Sequence, residues 1–378
     1  MTNTRNTYIP HLDVLRWIAA MMIILLHAYE AYCGWWGQVG LLSNGTKTAL
    51  SSWGKVIDQF IRNFGHGVDI FFLISGFLIT FLLLEEKKTI GNISIWKFML
   101  RRSFRIWPLY FLIIAIGPII VSWLQEPSPN YTCNLLFLGN FEIIQSQKWL
   151  YPFGHFWSIC IEEHFYLVWP FIIAFMPTKR LMTVFLSLIL LSICFRMIAW
   201  SNFHEGWYYL FTHTLSRIDV LVIGSIGGYY HSISPLKINL SRIQRVLIFG
   251  TLILVMCIEP IVQWDTLIMA AFKKYIYVGL SAVLMLDFLF NPAFKHILKP
   301  NSFIHYLGKT SYGIYMFGNV ILLIVVKQIM HRFGITNLWI FIGIVFTLSI
   351  LIPIVSYEFF EKPFLKLSAR FRPIRNKA

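Results

Sequence analysis

The sequence predicts an all-α, polytopic membrane protein of about ten transmembrane helices with both termini cytoplasmic. Three observations lead there. Apolar runs of roughly 20 residues recur along the chain, each long enough to cross a hydrocarbon core of about 30 Å. Of the 378 residues, 57% are apolar and only 13% are charged, whereas a soluble domain carries about 25% charged residues. Finally, the Lys and Arg residues gather in alternate loops, the pattern that sets membrane orientation.

The spans are expected at 12–32, 67–84, 104–124, 156–176, 181–200, 208–230, 243–262, 272–291, 310–329 and 338–358. The first is long, lacks a small-residue cleavage site and carries Arg16 and His27, so it reads as a retained helix and not a signal peptide. Lys87, Lys88, Lys97, Arg101, Arg102 and Arg105 lie between spans two and three, and Lys179 and Arg180 between four and five. Lys237, Arg242 and Arg245 lie between six and seven, and Lys295 and Lys299 between eight and nine. Lys362, Lys366, Arg370, Arg372, Arg375 and Lys377 follow span ten. All fall on one side, expected to be the cytoplasm. The outward loops, such as 33–66 and 125–155, are poorer in Lys and Arg and rich in Trp, Tyr and Gly.

The chain reads as one membrane domain over 1–378, its core at about 8–363. The basic cytoplasmic tail at 364–378 is too short to fold alone and suits anionic lipid. The net charge of +15 would suggest nucleic-acid binding in a soluble protein. Here it serves topology, so no nucleic-acid partner is expected. Gly224 and Gly228 form a GxxxG spacing, the signature of close helix packing. There is no CxxC pair and no zinc-type spacing, so no metal is expected. Cys33 and Cys133 both fall in outward loops; a disulfide between them is open, and sequence does not decide it. Oligomeric state is likewise open.

The buried polar residues carry the chemistry. Arg16 and His27 lie eleven residues apart, almost three helical turns, which puts both on one face about 16 Å apart along the axis. An ionisable group at the centre of a spanning helix costs on the order of 2.5–3.5 kcal/mol and usually marks a site or pathway. The alternative for His27 is a plain interhelical hydrogen bond. Its sharing a face with Arg16, with acids and histidines at the same expected depth, favours function. Arg101, Arg102 and Arg105 are i,i+3 and i,i+4 neighbours that form one cationic face, and guanidinium forks suit phosphate oxygens. Serving orientation alone is the bland reading of that cluster.

Glu162 and Glu163 open span four. Their i,i+1 spacing turns them to different faces, while Glu162 and Tyr166 share one. With His27, Glu30, Asp69, His155 and His164, both glutamates are expected in the outer half of the membrane. Asp69 begins span two and serves equally well as a site acid or as a helix N-terminal acid. Arg217 and Asp219 lie part-way along span six. Glu358, Glu361 and Lys362 read as structural pairs.

Six motifs in order resemble the acyltransferase family 3 membrane proteins, which O-acylate bacterial surface glycans and some other acceptors. They are Leu12-Asp13-Val14-Leu15-Arg16 with His27; Val68-Asp69-Ile70-Phe71-Phe72-Leu73-Ile74-Ser75-Gly76-Phe77; Arg101-Arg102-Ser103-Phe104-Arg105-Ile106-Trp107-Pro108; Phe156-Trp157-Ser158-Ile159-Cys160-Ile161-Glu162-Glu163-His164-Phe165-Tyr166; Ser311-Tyr312-Gly313-Ile314-Tyr315; and Ser356-Tyr357-Glu358-Phe359-Phe360-Glu361-Lys362-Pro363.

The resemblance implies a ten-helix acyltransferase of the bacterial inner membrane. It implies acyl-CoA, with acetyl-CoA the expected donor, and a hydroxyl on a cell-surface or lipid-linked glycan as acceptor. Arg16 and His27 match the family's essential Arg-x10-His pair, and Arg102 and Arg105 its Arg-x-x-Arg motif at the CoA phosphates. His164 stands where the family more often has Gln, and Gly318 near where many members carry His. On this reading Arg101, Arg102 and Arg105 bind the CoA phosphates. His27 acts as general base or takes the acyl group itself, and Glu162 or Glu163 orients its imidazole. The competing class is a transporter or channel with an intramembrane His, Asp and Glu relay.

Overall fold

The computed structural model describes residues 9–35, 52–203, 206–258, 266–294, 302–335 and 337–371. Among these the chain is helical and contains no strand. Lys295, Lys299, Arg372, Arg375 and Lys377 lie outside the described residues. The principal helices are α1 His11–Trp35, α2 Ser52–Arg62, α3 Gly67–Ile90, α4 Ile95–Leu124, α5 Trp157–Phe175, α6 Leu181–Asn202, α7 Thr214–Ile233, α8 Arg242–Ile258, α9 Lys274–Phe290, α10 Ser311–Ile324, α11 Leu338–Ser356 and α12 Lys362–Ala369. Eight stretches of the described residues are long and apolar enough to cross a membrane. The expected sixth and seventh spans correspond to α7, of 20 residues, and α8, of 17.

The spine of the bundle is the pair α3 and α7. A Cβ on Gly224 would sit 2.1 Å from the Leu73 carbonyl oxygen, one on Gly228 2.3 Å from that of Phe77, and one on Gly76 1.8 Å from that of Leu221. Only glycine at these positions lets the two backbones touch, which is the close packing expected from the GxxxG spacing. A carbonyl-to-hydroxyl bond seals the contact, since Ser225 Oγ donates to Gly76 O at 3.2 Å. This pairing holds Ser75 on α3 and Arg217 on α7 in fixed relation.

Two points go beyond the sequence. The basic tail does not begin as a free segment. Its first residues form α12, continuous with α11 through a π-helical turn at Tyr357–Glu361, and they pack on α4. Ser368 Oγ donates to Arg101 O at 3.0 Å, Arg101 Nη1 donates to Phe371 O at 2.8 Å, and the Phe371 and Phe104 rings stack at 5.9 Å. A segment too short to nucleate a helix alone extends one already formed. Cys33, which is buried, and Cys133 are both free thiols.

Candidate active site

Arg16 and His27 sit on one unbroken helix, α1, and each faces a different cavity. Arg16 lines a cleft of about 80 Å³ together with Arg102, Arg105, Ser75, Glu162, Tyr166 and Tyr312. His27 lines a larger cavity of about 740 Å³ with Asp69, His155, Arg217 and Asn319. The eleven-residue spacing thus joins two compartments through one rod. Tyr315 on α10 lines both and forms the wall between them. Its hydroxyl donates to the His155 carbonyl at 2.7 Å and therefore accepts from Ser158 Oγ, also at 2.7 Å.

The inner cleft is cationic. Asp13 Oδ1 accepts from Arg16 Nη1 at 3.1 Å, one turn away. Arg102 lies over the Tyr166 and Phe98 rings at 5.6 and 5.7 Å, and its buried Nε has no hydrogen-bond partner. Cation–π attraction to these rings holds the guanidinium in the cleft, where its fork suits a phosphate oxygen. Arg101 points elsewhere. It pairs with buried Glu86 at 3.1 Å and ties down α12, because i and i+1 residues face apart on a helix.

Glu162 is in this cleft and not beside His27, contrary to the expected outer-half placement. It accepts from Ser75 Oγ at 2.8 Å and from Tyr166 OH at 3.0 Å. The reason is depth: α5 begins at Trp157 and descends about 1.5 Å per residue, so Glu162 lies roughly 10 Å deeper than His155. Glu163 turns away from both cavities and accepts from Trp107 Nε1 at 3.0 Å. His164 also lies outside them, bonded to Thr214 Oγ1 at 2.8 Å and stacked on Phe141.

In the outer cavity the buried side chain of Asn319 shares the lining with the His27 imidazole. Asn319 is one residue beyond Gly318, whose own Cβ would sit 2.5 Å from Ile24 Cδ1. The small residue brings α10 against α1, and its neighbour lines the histidine's cavity. His155 donates through Nε2 to Met316 O at 3.3 Å, and its buried Nδ1 has no partner. Asp69 is held by Arg217 Nη2 at 2.6 Å and His66 Nδ1 at 2.7 Å. Trp149, Trp157, Trp207 and Phe211 supply aromatic walls.

Sequence reasoning missed Asn319, Tyr315 and Ser158. One signal was present: Tyr315 and Asn319 are i,i+4 and share a face. Among the described residues no group of three or more His, Cys, Asp or Glu side chains forms a metal site.

Residues 9–358 match the family model described as an acyltransferase domain. A Haemophilus influenzae protein without a described function is 29% identical over half of this chain and 86% of its own length. The peptidoglycan O-acetyltransferase OatA of Listeria monocytogenes is 24% identical over 83% of this chain. A Staphylococcus aureus protein whose name assigns it provisionally as an O-acetyltransferase is 25% identical over 95% of this chain. The match covers 49% of the Listeria protein and 58% of the Staphylococcus protein, so the chain spans about half the length of these two relatives. No solved structure matches.

Proposed function

The chain belongs to the acyltransferase domain family, and from that premise we propose that it transfers an acyl group, acetyl by expectation, from cytoplasmic acyl-CoA to a hydroxyl of a glycan acceptor at the outer face of a bacterial inner membrane. The observation that carries this reading is the pair of cavities that meet at Tyr315, one cationic and one holding an imidazole.

Arg16, Arg102 and Arg105 receive the CoA phosphates by charge-assisted hydrogen bonds. The cleft holds a phosphate or the slender pantetheine arm and is too small for a whole nucleotide, since sites for drug-sized molecules run to about 300–1,000 Å³. The adenine end therefore lies at the mouth, where exposed Arg105 stands. Arg101 supports the mouth by fixing α4 to α12.

The acyl thioester passes Tyr315 and meets the acceptor hydroxyl in the outer cavity. His27 takes the hydroxyl proton as general base while the oxygen attacks the thioester carbonyl. The C–S bond breaks, and the CoA sulfur leaves as thiolate and is protonated. Asn319 positions His27 by fixing its ring orientation, the role earlier expected of Glu162 or Glu163. Glu162 holds Ser75 and Tyr166 at the passage, Glu163 anchors Trp107, and Asp69 keeps Arg217 in the acceptor cavity. Membrane lipids surround the bundle, and no metal takes part in the scheme.

The test uses purified protein in nanodiscs with labelled acetyl-CoA and candidate oligosaccharides. Ester formation by the wild type and none by folded His27→Ala supports the reading. Solute crossing a bilayer with no ester product would replace it with the transporter class.

A further inference from the structure

One wall of the outer cavity is more positive than its own bonds require. Arg196, Arg217 and Lys274 line it. Asp219 accepts from Arg196 at 2.7 Å and Lys274 at 2.6 Å, and Asp69 accepts from Arg217 at 2.6 Å. Three cations thus share two carboxylates, and Lys273 lines the same cavity beside Lys274. Elsewhere in the lining, Arg62 is held by Asp58 at 2.8 Å and Glu30 at 3.3 Å.

Arg217 is the focus of the positive wall. It is 6% exposed, and its Nε has no hydrogen-bond partner. Its guanidinium lies 5.8 Å from the Phe72 ring and 5.6 Å from those of Trp157 and Phe211. A buried, unpartnered N–H on a charged group is costly, and an excess charge at membrane depth adds to that. Both penalties are removed by an oxyanion ligand. The aromatic rings beside it offer flat apolar faces of the kind on which sugar C–H groups stack.

Resting on the acyltransferase reading, we propose that the acceptor is an acidic sugar, whose oxyanion seats on Arg217 while its ring lies on Trp157 and Phe211 and its free hydroxyl points to His27. A carboxylate or a phosphate on the sugar meets the same donors. A neutral sugar leaves them unsatisfied, and a site built to hydrogen-bond a group rejects analogues that lack it.

Three matched oligosaccharides test this on the full chain in nanodiscs: one bearing glucuronate, one bearing a sugar phosphate, and the glucuronamide counterpart of the first. Binding is measured without donor, and ester formation with acetyl-CoA. The expected result is that at least one acidic oligosaccharide shows a KM and Kd about tenfold or more below the amide, and which acid does so identifies the oxyanion. Lys274→Gln, which leaves Asp219 paired to Arg196 and lowers the charge of the wall by one, narrows the preference, and Arg217→Gln combined with Asp69→Asn, which removes the seat and its paired carboxylate together, brings the acidic and neutral values together; an acid preference that survives the loss of Arg217 overturns the proposal. Equal KM and Kd for all three in the wild type overturns the proposal and leaves acyl transfer standing. Preferential binding of the acid with no ester from any acceptor overturns acyl transfer and leaves the acid site standing.

Discussion

At the scale of single residues the account depends on four side chains with different tasks. Removing a general base costs about 100-fold or more in rate, so His27→Ala should abolish detectable ester formation while its melting curve stays near the wild type's. Asn319 touches no reacting atom. Asn319→Ala should lower kcat by about tenfold, leave the KM for acetyl-CoA unchanged and displace the pH profile of kcat; an unchanged profile would assign Asn319 to packing alone. Arg102→Ala and Arg105→Ala each remove a charge-assisted bond worth about 1.5–3 kcal/mol, which raises the KM for acetyl-CoA about tenfold or more. The same change in a donor lacking the 3′-phosphate would be smaller if that phosphate is the one bound. His27, Arg16 and the arginine cluster were legible because burying an ionisable group in lipid is too costly to be incidental. Asn319, Tyr315 and Ser158 were not, because a neutral polar residue in a span has many structural uses, and which helix it meets is settled by tertiary packing. Glu162 was assigned the wrong depth for a related reason. Reading it as the opening of a span ignored the descent of α5 from His155.

At the scale of elements, α3 and α7 set the spacing of the site. The glycine contacts are backbone to backbone, so no side chain can yield. Gly76→Val should lower the thermal midpoint in detergent by the equivalent of about 1–3 kcal/mol of overpacking and reduce activity with it. Gly279 on α9 has no atom near its Cβ direction, so Gly279→Ala should leave the midpoint unchanged or slightly raised, as alanine favours a helix by about 1 kcal/mol over glycine. Scanning fluorimetry distinguishes the two. The GxxxG pair was readable from spacing, although its partner helix was not, since spacing names a face and not its neighbour. The docking of the tail was not readable for the converse reason. Composition described α12 as a basic surface segment, while its hydrogen bonds to Arg101 come from the continuity of α11, which no local pattern displays.

At the scale of the whole molecule, the proposed transfer is vectorial, because the two cavities lie at either side of Tyr315. The proposed donor site collects Arg16, Arg102 and Arg105, and the proposed acceptor site is lined by Trp149, Trp157 and Trp207. On the positive-inside rule both termini are expected in the cytoplasm. A fluorescent protein fused after Ala378 should therefore be bright in cells, and an alkaline phosphatase fused there inactive. The transmembrane class was evident from composition because a lipid solvent tolerates few charges. The partition of the polar residues into two compartments was not, because it arises from how the helices meet.

The most direct measurement of the central claim is the sidedness of transfer. In sealed proteoliposomes sorted for orientation, labelled acetyl-CoA is supplied only on the face bearing Arg102 and Arg105, and the oligosaccharide only on the opposite face. Acetyl ester appearing on the oligosaccharide with the wild type, and not with His27→Ala, is the predicted result. Ester forming only when donor and acceptor share one side would contradict it.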